Sequence, residues 1–303
     1  MLSTNFNNIV VGMISELSGI SRASNNTIEA YGRDLKEFVK FCEDRNINDI
    51  TLVTEKIIRL YIMNLNELRL AKTSVSRKLS SLRRLFNFAI RNSLIEKNPL
   101  NKISNPKTQR VLPETINLDS YEEIYKLIDE KSKDQTENYR NKAIFELLYG
   151  CALRDSELCD LNIGDIDLEK MNVRVMGKGS KVRIVPLGKK SIKIINDYLS
   201  LYGNLPFSHP LFFNDNAIRI DRHTIYRIVK KYLKDFEIKK KSPHILRHSA
   251  ATHMLDNEAD LLAVKEILGH ENLSTTQIYT HVSIERLKKA YKQAHPKSKE
   301  ESL

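Results

Sequence analysis

Strict alternation of apolar and polar residues occurs with strength at only one place in this chain. Met171-Asn172-Val173-Arg174-Val175-Met176 alternates, and so does Lys181-Val182-Arg183-Ile184-Val185. Between them stands Gly177-Lys178-Gly179-Ser180, and two period-two runs around a glycine-rich turn predict a β-hairpin. One hairpin in 303 residues leaves little room for an extended sheet. The remaining patterned segments repeat at helical spacing, so the expected class is mainly α (α+β), with a helical first domain and a mostly helical second domain carrying a small antiparallel β-sheet.

The helical pattern is explicit near the start. Residues 27–41 place Tyr31, Leu35 and Phe38 on one face. Thr54 is positioned to cap a second helix whose apolar residues are Ile57, Leu60, Tyr61, Leu65 and Leu68. A third, from Ser74 to Ala89, sets Val75, Leu79, Leu82 and Phe86 against an opposite face of Arg77, Lys78, Arg83 and Arg84. Residues 98–117 hold three prolines and few large apolar residues, and read as a connecting region. The domains are accordingly placed at 1–106 and 118–303, with a linker at 107–117. Helices are expected again from Tyr121 to Lys131, from Tyr139 to Tyr149 with Gly150 as the stop, from Asp155, and from Asp260 to Leu268 with Gly269 as a left-handed cap.

Composition narrows the partners. Net charge is +11, and residues 1–110 carry 18 Lys+Arg against 10 Asp+Glu, or +8, leaving +3 (31 against 28) for the rest. Arg69 to Arg110 alone contains 11 basic residues and the single acid Glu96. Such a block repels itself unless it is solvated or faces a polyanion, and a nucleic-acid backbone is the partner this charge suits. No run reaches the ~18 apolar residues of a membrane span, and the start lacks a signal-peptide pattern. Cys42, Cys151 and Cys159 are odd in number and without metal spacing, which fits small buried side chains in a reducing cytoplasm.

The chemistry concentrates downstream. Arg154, His244, Arg247, His270 and Tyr279 make a set able to hold a phosphodiester and attack it. The two arginines bring charge that does not titrate away, the histidines exchange protons near neutrality, and the phenol is a nucleophile once a neighbour takes its proton. Ser274 and Gln277 form a plausible capping box that would put Tyr279 in the first turns of a helix.

Ala152-Leu153-Arg154-Asp155-Ser156-Glu157-Leu158, Gly177-Lys178-Gly179, His244-Ile245-Leu246-Arg247-His248, Leu268-Gly269-His270 and Tyr279-Thr280-His281-Val282 occur in an order and spacing that resemble the tyrosine recombinase (phage integrase) family. The ending, residues 283–296, resembles its bacterial Xer branch. The resemblance runs from about residue 10 to 296. It implies that Arg154 and Arg247 brace the non-bridging oxygens of a scissile phosphate. It makes Tyr279 the nucleophile that joins the DNA 3′-phosphate and frees a 5′-hydroxyl. His244 becomes proton acceptor or phosphate ligand, and His270 a donor to the same phosphate. Lys178 becomes the acid that protonates the leaving 5′-oxygen, with Lys181 a nearby rival. Glu157 would orient a catalytic histidine or the arginine itself.

The resemblance further implies a helical N-terminal domain that clamps DNA, with Arg77, Lys78, Arg83 and Arg84 on the duplex, and a C-terminal catalytic domain. No metal and no cofactor is expected, since the catalytic acids of two-metal nucleases are not evident, and no ATP is expected because a phosphotyrosine link conserves the energy of the broken phosphodiester. The expected partner is double-stranded DNA at a short inverted-repeat site, met by a homo-tetramer on two sites, with a second recombinase chain or a DNA translocase as open additions. Ile284, Leu287, Ala290 and Tyr291 share a helical face that would be donated to a neighbouring protomer. Within the family the length favours a Xer-type resolver of chromosome or plasmid dimers over an integrase or excisionase of a mobile element. A catalytically idle DNA-binding protein is the rival from another class, and a relaxing topoisomerase fits the first domain less well.

Overall fold

The computed structural model describes residues 5–19, 25–107, 114–177, 181–269, 291 and 294. The chain divides into two compact units, Met1–Val111 and Leu112–Leu303. The division falls inside the expected linker, but the start of the connecting region is not loose. Leu100 and Ile103 are buried in the first unit's core, and Asn98 donates its side-chain N–H to Asn87 Oδ1 at 2.8 Å while its own oxygen accepts from the Leu100 N–H.

The first unit contains α1 (Phe6–Gly19), α2 (Asn25–Glu43), α3 (Glu55–Glu67) and α4 (Lys72–Arg91). Phe38 of α2 is fully buried and meets Phe6, Tyr61 and Phe86 edge-on, so one ring holds all four helices together. The buried face of α4 is the expected one, with Val75, Leu79, Leu82 and Phe86 inside. That of α3 is rotated from the expected stripe: Ile58, Tyr61 and Leu65 are inside, while Leu60 and Leu68 are exposed.

The polar face of α4 departs further from expectation. Lys78 is not on an open basic surface but is only 6% exposed, where its ammonium meets Asp34 at 3.1 Å and Glu37 at 2.7 Å. Arg77 also pairs with the buried Asp34 carboxylate. Arg83 donates to Asn105 Oδ1 and to the Ile103 carbonyl, both at 2.6 Å. A lysine one position from an apolar stripe can turn inward once carboxylates, here the buried Asp34 and the exposed Glu37, neutralise it, and helical periodicity alone cannot see those carboxylates on α2. Lys78→Ala leaves the buried Asp34 carboxylate with Arg77 as its remaining ion-pair partner, so it is expected to cost about 1 to 3 kcal/mol in urea unfolding. Unchanged stability with weakened DNA binding would return Lys78 to the surface role.

The second unit is built on α6 (Gln135–Tyr149), whose residues 143–149 are all buried; six of these are apolar or aromatic, and the buried Glu146 accepts from the Tyr125 and Ser191 hydroxyls. Around it are α5 (Leu118–Lys131), α7 (Asp155–Asp160), α8 (Lys189–Ser200), α9 (Arg222–Tyr232), α10 (Pro243–Asp256) and α11 (Leu261–Leu268). The expected hairpin is present as β2 (Asn172–Met176) and β3 (Val182–Pro186), antiparallel, with an unexpected two-residue strand β1 (Ile166–Asp167) on the far edge of β2. The pairs Val173↔Val185 and Val175↔Arg183 share one face, and Val173, Val175 and Val185 are buried there. Met176 and Val182, paired on the other face, are exposed. All three cysteines are free and buried.

One expectation for the tail is corrected. Tyr291 is 3% exposed within the core of its own chain, where its hydroxyl donates to the Gly150 carbonyl at 2.8 Å. It is therefore not on a face held out for a neighbour; Ile284, Leu287 and Ala290 lie outside the described residues.

Candidate active site

Arg154 is delivered by the buried stretch that ends α6. Gly150 caps that helix, and no larger residue fits there: an added Cβ would stand 2.5 Å from Glu146 Oε1 and 2.7 Å from the Glu146 carbonyl oxygen. The chain then turns through Ala152 at φ +50°, and the Leu153 N–H donates to the Leu147 carbonyl at 3.1 Å. Arg154 follows as the N-cap of α7, and its backbone N–H donates to Glu157 Oε2 at 2.8 Å. The backbone is therefore fixed on both sides of the arginine.

Arg247 comes from α10, one helical turn after the exposed His244, so the two share a face. Its side chain is 9% exposed. One guanidinium nitrogen donates to the Ala152 carbonyl and another to the Leu268 carbonyl. Gly269 ends α11 in the left-handed conformation, φ +60° and ψ +52°, as expected. Its carbonyl accepts from Arg154 at 3.1 Å. Two guanidiniums thus converge on the last turn of α11, immediately before His270.

Glu157 stands at the hub of this cluster. It receives Arg154 on Oε1, receives both outer nitrogens of Arg183 at 2.8 Å each, and lies 3.6 Å from Arg247. Of the two roles expected for Glu157, the described residues realise the orientation of arginine. Burial pushes its carboxyl up, but the hydrogen bonds and charges of Arg183, and then of Arg154, outweigh that and hold it down to about 2. Because the folded value lies below the ordinary 4.5, the stability this gives is complete above that pH and is lost as pH falls toward about 2. It amounts to roughly 3 kcal/mol. Urea unfolding of wild type and Glu157→Gln should therefore converge on acidification through that window. Parallel curves would mean that the carboxylate is not held by the arginines.

Three guanidiniums around one carboxylate leave an excess of two positive charges. Burial first, and then the charge of Arg154, pushes the Arg247 guanidinium down to about 10, with Arg183 acting in the same sense against Glu157. A cation so disfavoured in its own pocket is one that an incoming anion relieves. Arg154 is a third exposed and keeps donors toward solvent, which a phosphate oxygen could take.

Lys178, His270 and Tyr279 lie outside the described residues. The hairpin is closed as far as the Gly177 N–H, which donates to the Lys181 carbonyl at 2.7 Å, and the Lys181 side chain is exposed. His253, one of the histidines without an assigned slot, bonds through Nδ1 to the Tyr149 hydroxyl at 2.8 Å and serves the core. Arg183 was missed by sequence reasoning. The signal was available: residues opposed in an antiparallel pair share a face, and Arg183 faces Val175.

With this geometry in place, comparison with known proteins is specific. A family model described as phage integrase family matches residues 114–286, and one described as phage integrase, N-terminal SAM-like domain, matches residues 14–93. The chain belongs to the phage integrase family and is a tyrosine recombinase of Xer type, a DNA-breaking and rejoining enzyme. Among its relatives are the tyrosine recombinase XerC of Pelobacter propionicus, 39% identical over 91% of each chain, and XerD of Staphylococcus epidermidis, 38% identical over 91% of this chain and 94% of that one. The fold is that of XerH site-specific recombinase bound to palindromic difH substrate in a post-cleavage complex (TM-score 0.69, 23% identity, covering 96% of this chain and 85% of that one). No helix among the described residues is long and apolar enough to cross a membrane.

Proposed function

We propose that this protein resolves dimers of a chromosome or plasmid by cutting and rejoining DNA at a short inverted-repeat site, through a 3′-phosphotyrosyl intermediate. The observation that carries the reading is the surplus of positive charge where Arg154 and Arg247 converge, with donors left over for a phosphate. In the proposed step the Tyr279 oxygen bonds to phosphorus while the bond from phosphorus to the 5′-oxygen breaks. The phenol proton passes to His244, Lys178 returns a proton to the leaving oxygen, and His270 donates to a non-bridging oxygen. Strand transfer reverses the step with a new 5′-hydroxyl, so the balance of bonds is unchanged and no ATP is required.

Relatives named XerC and XerD and the fold of XerH support the resolver reading. A homo-tetramer on two sites follows from pairing two such exchanges, and work on chromosomal DNA implies the cytoplasm, with roles in chromosome partition and cell division. Duplex contact would be shared by the basic first domain, including Arg77, Arg83 and Arg84, and by the exposed Arg222, His223, Arg227 and Lys230 of α9. The test is to mix the protein with nicked fragments of host genome, denature in SDS, and sequence the DNA that stays protein-bound. One recurring inverted-repeat site at the chromosome terminus is the expected result. A site at the edge of a mobile element would make the protein an integrase, and salt-sensitive binding without any adduct would make it an idle DNA-binding protein.

A further inference from the structure

Arg183 has the marks of a working residue without the position of a phosphate ligand. It sits on the core face of β3 beside Val185, where period-two packing calls for an apolar side chain, and its side chain is only 11% exposed. A buried arginine is expensive unless fully engaged. Here Nη1 and Nη2 each donate to a different oxygen of Glu157 at 2.8 Å, in the two-pronged pairing that a planar guanidinium makes with a carboxylate. Nε donates to the Ile267 carbonyl at 2.9 Å. All three nitrogens are turned toward protein.

The partners are the informative part. Ile267, Leu268 and Gly269 are consecutive, and their carbonyls accept from Arg183, Arg247 and Arg154 in that order. Glu157 touches all three arginines. Gly269 also packs directly on Arg183, since an added Cβ would stand 3.2 Å from its Cδ and Nη1. Arg183 therefore fixes both supports of the other two guanidiniums, the carboxylate between them and the helix end beneath them. It does so from β3, a few residues after Lys178 in sequence.

We propose that Arg183 is a positioning residue for strand cleavage: by clamping Glu157 and the end of α11 it sets the placement of Arg154 and Arg247 around the scissile phosphate. The proposal rests on the recombinase reading above. Lysine keeps the charge but is a point donor and cannot span both carboxylate oxygens. Arg183→Lys should therefore slow single-turnover covalent attachment roughly 10- to 100-fold, the usual scale for groups that orient reacting ones, with DNA affinity changed less than threefold or so.

The probe is a nicked duplex carrying the sequence recovered by covalent capture, made once with an ordinary scissile phosphate and once with a methylphosphonate there. A methylphosphonate lacks one anionic oxygen and makes less use of the guanidiniums, so the defect should shrink on it. An equal defect on both duplexes would mean merely structural damage and would overturn the proposal. A double-mutant cycle supplies the second readout: in a Glu157→Gln background, Arg183→Lys should add little further loss. A full additional loss would make Arg183 an independent phosphate ligand, also against the proposal. Arg183→Gln carries the same comparisons should the lysine variant fail to fold. Wild-type protein that forms no adduct would remove the recombinase reading itself, whereas a wild-type adduct with an unimpaired Arg183→Lys overturns the positioning role alone.

Discussion

Arg247→Lys is expected to lower the rate of covalent attachment to a nicked duplex by about 10² to 10³, while equilibrium binding to the same DNA changes less than about tenfold. The guanidinium donates to the Ala152 and Leu268 carbonyls and, in the proposed step, must reach the phosphate as well. A lysine ammonium has three hydrogens on one nitrogen and cannot reach partners set at the spread of a planar fork. Whatever it satisfies, another group is left bare in a nearly closed pocket. Binding suffers less because affinity for duplex DNA is summed over many backbone contacts, of which this is one. Rapid-quench measurement at saturating protein separates the two effects. A rate within threefold or so of wild type would mean that Arg247 holds the fold together and does not act on the phosphate.

Lys178→Ala should show a second large loss, about 10² to 10⁴ for removal of a general acid, and a conditional one. A 5′-oxygen leaves poorly without a proton, whereas a 5′-sulfur leaves readily as thiolate. The variant should therefore cleave a duplex with a bridging 5′-thiol at close to the wild-type rate. Equal defects on oxygen and sulfur substrates would point away from Lys178. The rival is Lys181, whose backbone carbonyl closes the neck of the hairpin and whose side chain is exposed, and the parallel Lys181→Ala measurement decides between them.

How much of this was legible beforehand can be judged residue by residue. Periodicity found the hairpin, the buried face of α4 and the αL stop at Gly269, because each is a local consequence of side-chain geometry. It was half right at α3, where Tyr61 and Leu65 are buried as expected but Ile58 is inside and Leu60 and Leu68 are exposed, because tertiary packing, with Tyr61 against Phe38, sets which edge of the stripe faces in. It failed at Lys78, since the neutralising Asp34 and Glu37 lie more than forty residues away in sequence. Within the site, the motif spacing singled out Arg154, His244 and Arg247 and named Glu157 as an orienting group, but not Arg183 or the α11 carbonyls that complete the support. Arg183 was taken for the polar half of an alternating strand. The Val175↔Arg183 register instead puts it inside, where the Glu157 carboxylate and the Ile267 carbonyl make it tolerable. Tyr291 was read by amphipathic spacing as a residue for a neighbour, and its hydroxyl proved to have a partner in the Gly150 carbonyl of its own chain.

The central claim is that a tyrosine of this chain becomes joined to DNA while the arginines hold the phosphate. Its most direct test is to trap the full-length protein on the nicked duplex recovered from genomic capture, digest the SDS-stable adduct with protease, and sequence the peptide that retains DNA. The account predicts the 3′-phosphate end linked to the peptide at Tyr279, with a free 5′-hydroxyl on the released strand. DNA joined to any other residue, or cut strands with no protein attached, would contradict it.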